Sequence, residues 1–229
     1  MRGVAAGLTP PPVPARIRVQ RGCAVLLPID PGEPESWLIG RVASVIRKGG
    51  LVVLPTDTVY ALTCAFDNEP AIERLYAVKR IAPAKRLSIL VPDIATAARL
   101  TRGISNSVFR TMRRVLPGPY TFIFQASSEV PRTMLRKRRT VGIRIPASPI
   151  ALAVLAELGS PLLATSVRNS ADEWLLDPVT IEEELRGSVD LVVDGGLLAA
   201  EPSTVVDLSG DEPVLVREGK GDVAQLELF

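Results

Sequence analysis

Short, mainly apolar runs alternate with amphipathic segments along most of the chain, and this alternation limits the possible folds more than any other feature. Residues 51–54, 87–91 and 141–145 are such runs, and they predict buried strands. Residues 38–46 and 108–115 repeat apolar side chains every three or four positions, which predicts helices. Strands that alternate with helices form a sheet with helices packed on it, so the sequence predicts an α/β domain with a mixed sheet.

The same two periods predict the remaining elements. Further strands are expected at residues 120–124, 162–165, 191–193, 204–208 and 214–216. Further helices are expected from about Asn68, after a cap at Asp93, from Ser148-Pro149 to residue 158, and over residues 182–186.

The predicted domain organisation is one large domain with short ends. The Pro- and Gly-rich residues 1–35 have no clear period and predict a flexible leader, followed by a domain over 36–222 and a tail over 223–229. No apolar run approaches the roughly 20 residues of a membrane span. Two cysteines are too few for a disulfide framework, which indicates a reducing, cytoplasmic compartment. The basic leader leaves an organelle-targeting segment as the alternative.

The chain contains no histidine, which excludes several kinds of active site. Ser-His-Asp and Cys-His nucleophiles are impossible, and so are histidine-ligated metals. Any chemistry must rely on Lys, Arg, carboxylates, hydroxyls, backbone groups and Mg²⁺. Such groups favour binding, positioning and neutralisation of charge.

The net charge of +2 hides an uneven distribution of charge. Residues 99–144 carry 11 Lys or Arg and one acid, whereas residues 170–229 carry 3 basic and 15 acidic residues. This polarity predicts a polyanionic partner for the basic part, and RNA bound through its phosphates is the expected one. The alternative is that these cations form only a solvated face.

Polar residues gather where predicted strands end or are interrupted. Pro55-Thr-Asp-Thr-Val-Tyr60 follows strand 51–54 directly, at the edge where α/β proteins bind ligands, although a turn with a packed tyrosine fits equally well. Cations cluster between Lys79 and Ser88, which fits either a phosphate site or a solvated helix end. Arg144 interrupts a buried-looking strand, so it needs either an internal salt bridge or an anionic ligand. No P-loop or G-x-G-x-x-G motif is present.

The order of these segments resembles the YrdC/YciO family over roughly residues 38–222. The matching landmarks are Pro55-Thr-Asp-Thr-Val-Tyr60, Lys79 with Lys85-Arg-Leu-Ser88, Pro117-Gly-Pro-Tyr-Thr121, Val141-Gly-Ile-Arg-Ile-Pro146, Thr165-Ser166, Asp194-Gly-Gly196, Pro202-Ser-Thr-Val-Val-Asp207 and Arg217-Glu-Gly219. The resemblance implies a twisted sheet with a concave basic cleft. It also implies the chemistry of the synthase branch, in which ATP, L-threonine and bicarbonate give threonylcarbamoyl-AMP for tRNA modification.

The resemblance also implies roles for individual residues. Threonine is expected to be held by Thr56, Arg144 and Ser203, in a pocket shaped by Tyr60. The nucleotide is expected to face Lys79, Lys85, Thr140, Ser166 and Arg217. Mg²⁺ is expected to accompany ATP, and no protein ligand for a metal is expected.

Two positions depart from the synthase branch and are similar to the YciO branch. A Lys-x-Arg pattern reads Lys79-Arg80-Ile81 here, and a Ser-x-Asn pattern reads Ser166-Val167-Arg168. The resemblance is therefore nearer to YciO and implies slow or absent synthesis of threonylcarbamoyl-AMP. The alternative function is that of a double-stranded-RNA-binding protein without efficient synthesis.

Overall fold

The computed structural model describes residues 25–79, 87–135 and 139–228. Strands in these ranges are β1 (Val25–Pro28), β2 (Val52–Leu54), β3 (Ala61–Ala65), β4 (Ser88–Leu90), β5 (Tyr120–Gln125), β6 (Thr140–Arg144), β7 (Leu162–Ser166), β8 (Leu191–Asp194), β9 (Thr204–Asp207) and β10 (Val214–Arg217). Helices are α1 (Ser36–Arg47), α2 (Glu69–Lys79), α3 (Ile94–Leu100), α4 (Asn106–Val115), α5 (Arg132–Leu135), α6 (Pro149–Leu158) and α7 (Pro178–Glu184), with a 3₁₀ turn at Val223–Leu226.

All the strands described join one sheet in the order β1-β8-β2-β3-β7-β4-β6-β5-β9-β10. β8 pairs in parallel with both β1 and β2, and the pairs β4–β6 and β5–β9 are also parallel. The other neighbours are antiparallel. The predicted mixed sheet is thus confirmed.

Helices cover both faces of the sheet because each face carries its own apolar cluster. On one face, α1 and α6 bury Val42, Ile46 and Val154 against β2 and β8. On the other face, α2 and α4 bury Leu75 and Met112 in a larger cluster with the aromatic residues of β5. The predicted covering of the sheet by helices is therefore confirmed.

The predicted helix starts at Asp93 and Ser148 are confirmed by their caps. The carboxylate of Asp93 accepts a hydrogen bond from the amide of Thr96 at 2.7 Å. A cap of this kind stabilises the helix because it gives a partner to an amide that has none within the first turn. Ser148 accepts from the amide of Ala151 at 3.3 Å, and Pro149 occupies the first helical position.

Three parts of the fold differ from the sequence prediction. Val25–Pro28, inside the predicted leader, form β1, because their register on β8 covers that strand's outer edge. Ala61–Ala65 form a strand that was not predicted. The last α-helix begins at Pro178, about four residues before the predicted start, because the Asp177 carboxylate caps the amides of Val179 and Thr180. Within the described ranges, no helix has the length and apolar character needed to cross a membrane.

Candidate functional site

A cavity of about 460 Å³ lies against one face of the sheet. Alternate residues of neighbouring strands form its floor, because side chains two positions apart point to the same face. These floor residues are Ser88 and Leu90 of β4, Thr121 and Ile123 of β5, Gly142 and Arg144 of β6, and Ala164 and Ser166 of β7. The walls come from the loop after β2, the end of α2, the loop after β7, and the β9–β10 pair.

At the floor, Arg144 pairs with Asp57 of the loop after β2. Nη2 of Arg144 lies 2.6 Å from Oδ1 of Asp57 and 3.4 Å from the hydroxyl oxygen of Thr56. Both charged side chains are only 9% exposed. Burial lowers the pKa of the Arg144 guanidinium, and the charge and hydrogen bond of Asp57 partly offset this effect. Of the two alternatives for Arg144, an internal salt bridge or an anionic ligand, the structure shows the internal salt bridge, with Asp57 as the partner.

This ion pair is incomplete. Among the buried side-chain atoms of the described residues, Nε of Arg144 and Oδ2 of Asp57 have no hydrogen-bond partner. Buried polar groups nearly always have partners, so two such atoms in one pair are unusual. The pair therefore leaves one donor and one acceptor unsatisfied beside the cavity that Arg144 lines.

A second polar group joins β5, β9 and β10. The hydroxyl oxygens of Ser203 and Thr121 lie 2.9 Å apart. Nε and Nη2 of Arg217 donate to the carbonyl of Ser203 at 3.0 and 2.7 Å, which fixes the guanidinium beside the cavity. Gly219 is required nearby, because a Cβ there would lie 2.2 Å from the carbonyl oxygen of Pro202.

A third group lies in the loop after β7. The guanidinium of Arg168 lies 3.5 Å above the ring centre of Trp174. Its Nη1 donates to the carbonyl of Asp172 at 2.9 Å and to the Asp172 carboxylate at 2.7 Å. All three residues line the cavity. None was predicted as a site residue, although Arg168 stood out as a departure from the family pattern.

The cavity is electropositive. Of the residues that the structure describes, four cations line it, namely Lys79, Arg144, Arg168 and Arg217, against one carboxylate, that of Asp172. Burial lowers the pKa of the Arg217 guanidinium, and the charges of Arg168 and Arg144 lower it further. Like charges held this close favour an anionic ligand.

Most of the predicted site residues meet at this cavity. Those that line it are Thr56, Lys79, Arg144, Ser166, Ser203 and Arg217. Lys85 lies outside the described residues.

Tyr60 and Thr140 do not line the cavity. Tyr60 is fully buried, and its hydroxyl donates to the carbonyl of Gly196 at 2.7 Å and accepts from the amide of Gly195 at 3.2 Å. Burial raises the pKa of Tyr60 to about 12. Tyr60 therefore anchors the loop after β8. Thr140 is the first residue of β6 and pairs with Gln125, whereas Arg144 is the last residue of the same strand.

The basic middle of the chain is spread over several places. Arg144 belongs to the cavity. Arg102 donates to the carbonyl of Ala126, and Arg114 donates to carbonyls of the 3₁₀ turn. Arg99 pairs with Glu129 at 3.4 Å. Several of the described cations therefore have partners within the fold, and residues 136–138 of this stretch lie outside the described ranges.

Comparison with known proteins identifies the family. The family model named Sua5_yciO_yrdC, described as "Telomere recombination", matches residues 44–219. The chain belongs to this family. YciO of Escherichia coli K12, an uncharacterized protein, is 40% identical over 197 residues, covering 85% of this chain and 95% of YciO. The threonylcarbamoyl-AMP synthase of Pyrococcus abyssi is 31% identical over 194 residues, covering 84% of this chain and 57% of the synthase.

Solved structures of the Sua5/YciO/YrdC family confirm the fold. The crystal structure of E. coli YciO matches with a TM-score of 0.84 at 38% identity, covering 89% of this chain and 99% of that one. P. abyssi Sua5 complexed with L-threonine matches with a TM-score of 0.84 at 29% identity, covering 89% of this chain and 60% of that one. The chain thus spans nearly all of YciO and somewhat more than half of Sua5.

Proposed function

We propose that the cavity binds L-threonine and ATP, and that the protein forms threonylcarbamoyl-AMP slowly from these substrates and bicarbonate. The observation that carries this proposal is the incomplete pair of Arg144 and Asp57. A free amino acid is a zwitterion, and its carboxylate and ammonium match an arginine donor beside an aspartate acceptor. That P. abyssi Sua5, a structural relative, has been solved in complex with L-threonine supports threonine as the amino acid.

The amino acid would occupy the floor of the cavity. Its carboxylate would accept from the guanidinium of Arg144, which lines the cavity, and its ammonium would lie near the carboxylate of Asp57, whose Oδ2 has no partner among the described residues. The hydroxyls of Thr56 and Ser203 border this position and would hold the polar side chain of threonine. Tyr60 would act indirectly, by fixing the loop after β8.

The nucleotide would occupy the walls, where Lys79, Ser166 and Arg217 lie. Lys85 and Thr140 remain proposed contacts. Mg²⁺ would come with the phosphates and neutralise them. No group of three or more Asp, Glu or Cys residues that could hold a metal occurs in the described ranges. The residues present therefore form no metal site of their own, and no step is assigned to the ion.

The reaction needs positioning more than acid–base groups, which suits a chain without histidine. The threonine ammonium first loses a proton to solvent, and the free amine then attacks the bicarbonate carbon, which gives a carbamate and releases water. A carbamate oxygen then attacks the α-phosphate of ATP, and pyrophosphate leaves. Arginine and lysine around the phosphates would stabilise the charge that develops on their oxygens.

Pyrophosphate release tests the proposal directly. The full-length protein is incubated with ATP, Mg²⁺, bicarbonate and L-threonine, and each substrate is omitted in turn. We expect slow release of pyrophosphate that requires both threonine and bicarbonate. The substitution Arg144→Lys should abolish this release. Release that is independent of threonine, or no release at all at high protein concentration, would contradict the proposal.

Binding of duplex RNA is the second candidate function, and the exposed face of α4 favours it. Arg110 and Arg113 are exposed on this helix beside Phe109, whose side chain is 41% exposed. Such a face suits phosphate contacts. We expect affinity to fall steeply with salt, and Arg110→Gln with Arg113→Gln to reduce that slope. Arg186→Gln, which removes a cation on α7's C-terminal side, is the matched control. RNA affinity that is insensitive to salt would contradict this function.

A further inference from the structure

The guanidinium of Arg168 is held at the cavity by contacts that leave one of its edges without a partner among the described residues. Arg168 is stacked on the indole of Trp174 and hydrogen-bonded to Asp172 on one side only, through Nη1. In the described part of the chain, neither Nε nor Nη2 of Arg168 has a hydrogen-bond partner. Only 23% of the side chain is exposed, although it lines the cavity. Its unused edge is therefore held in place and available to a ligand.

The loop that carries Arg168 closes without it. The side chain of Asn169 accepts from the amides of Ala171 and Glu173 at 2.9 and 3.0 Å. The amide of Asn169 donates to the carbonyl of Glu173 at 2.9 Å, and the amide of Leu175 donates to that of Val167 at 3.3 Å. These bonds fix the turn, so an exposed salt bridge would add little to its stability.

Arg217 lines the same cavity as Arg168 but comes from a different part of the sheet. It belongs to β10, whereas Arg168 follows β7, and both line the same space. Its Nε and Nη2 are fixed by Ser203, and Nη1 has no hydrogen-bond partner in the described part of the chain. The pKa of Arg217 is lowered first by burial and then by the charge of Arg168, which indicates that the two charges act on each other. Among the described residues that line the cavity, Asp172 has the one carboxylate that could balance them.

We propose that Arg168, held by Trp174 and Asp172, forms with Arg217 a subsite for the phosphate chain of the ligand and sets a preference for di- and triphosphates. Two oriented guanidinium groups can bind the oxygens of two linked phosphates at the same time. A monophosphate can form bidentate hydrogen bonds with only one of the two groups. The stack on Trp174 lowers the entropy lost when Arg168 binds, because the side chain is already ordered. This inference rests on the proposed nucleotide cavity and adds its selectivity for the phosphate chain.

The subsite is distinct from the Arg144–Asp57 pair at the floor. Arg144 is neutralised by Asp57 across 2.6 Å, so it suits a zwitterion of no net charge. Arg168 has its own partner, but the Asp172 side chain is 73% exposed and its charge is screened by water. Away from the floor, the positive charge of the cavity is therefore carried by Arg168 and Arg217 together with Lys79, and a polyphosphate bound there would be neutralised.

Inorganic pyrophosphate is the probe that tests the subsite without requiring synthesis. The chain has two tryptophans, so Trp37→Phe, at an exposed position of α1, leaves Trp174 as the single tryptophan fluorophore. Titration of that variant with pyrophosphate should change the Trp174 emission. Calorimetry with the otherwise unchanged protein gives the affinity independently.

Two variants and one control decide the outcome. We expect Arg168→Gln to weaken pyrophosphate binding about tenfold or more, as loss of a charge-assisted contact does. The preference for ATP over AMP should shrink by a similar factor, while threonine affinity stays unchanged. Trp174→Leu should have a smaller effect in the same direction, and Arg186→Gln should have none.

The opposite results would overturn the inference in ways that separate it from the proposed function. If pyrophosphate does not bind, or binds Arg168→Gln as well as the unchanged protein, the subsite does not exist. Threonine-dependent pyrophosphate release would then still support synthesis. If Arg168→Gln lowers the melting temperature but leaves the preference for ATP over AMP unchanged, Arg168 is structural. Loss of that preference in a protein that shows no synthesis would support the subsite alone.

Discussion

Replacement of Arg144 by alanine should lower the free energy of unfolding by about 3–5 kcal/mol, because it leaves a buried carboxylate without its partner. The Asp57 side chain is 9% exposed, and its Oδ1 has Arg144 Nη2 at 2.6 Å. Its Oδ2 has no partner already, so no second bond within the described chain can compensate for the loss. The hydroxyl of Thr56, 3.4 Å from Nη2, would lose a donor as well.

Two further variants separate the role of Arg144 in folding from its role in binding. Arg144→Lys retains a positive charge near Asp57, so we expect a loss of only about 1 kcal/mol. One ammonium cannot serve both Asp57 and a ligand carboxylate with fixed geometry, so threonine affinity should fall at least about tenfold. The double variant Asp57→Asn, Arg144→Met removes both charges at similar volume, and it should be nearly as stable as the original protein.

Urea denaturation followed by circular dichroism measures these stabilities, and calorimetry measures threonine affinity. Arg47→Ala is the matched control, because its salt bridge with Glu157 is about half exposed and should contribute little. A loss below about 1 kcal/mol in Arg144→Ala would refute the description of a buried, closely coupled pair. A double variant as unstable as Arg144→Ala would do the same. Unchanged threonine binding by Arg144→Lys would refute the role proposed for the guanidinium.

Three further predictions follow from features elsewhere in the fold. Gly219→Ala should destabilise by about 1–3 kcal/mol in urea denaturation, because its Cβ would lie 2.2 Å from the carbonyl of Pro202. By contrast, Gly40→Ala in α1, where a Cβ meets nothing within 4 Å, should stabilise, and the reverse order would contradict the packing argument. Stability should also fall as pH rises from about 10 towards 12, because the pKa of Tyr60 is raised from 10.0 to about 12 on folding, and Tyr60→Phe should be less sensitive to pH in that range. Burial raises the pKa of Cys64 from 9.0 to about 12, so Cys64→Ala should flatten the alkaline decline from pH 9 upwards, and an unchanged profile would argue against this origin.

The sequence predicted the elements whose patterns are local and missed those that depend on distant partners. Strands such as β6 and helices such as α6 carry their own period and caps, which is sufficient to assign them. β1 lies in a Pro- and Gly-rich segment, and it becomes a strand because the edge of β8, more than 160 residues later, accepts it in parallel register. Ala61–Ala65 of β3 are small and mixed in polarity, so they show a clear pattern only once β2 and β7 lie on either side.

The site shows the same division. Arg144 was identified because a cation inside an apolar strand requires a partner, and its placement at the cavity fits that reasoning. Tyr60 was assigned to the pocket through its position in a motif, but packing in the core turns its ring away from the ligand space. The stack of Arg168 on Trp174 depends on a turn closed by Asn169, and no periodicity in the sequence reports such a turn. The proposed selectivity for the phosphate chain therefore could not be predicted from the sequence alone.

β9 and β10 follow the other described strands in chain order, and this order has a consequence for synthesis of the protein on the ribosome. Ser203 and Arg217 line the cavity from this part of the chain, and the Lys220 ammonium donates to the carbonyl of Asp57 at 2.8 Å. β8 must likewise insert between β1 and β2, which are made much earlier. A nascent chain can therefore bury much of its apolar surface and still have no closed binding site. Ligand can stabilise only the finished protein, so a chain that stalls before β10 gains no protection from the substrate around it.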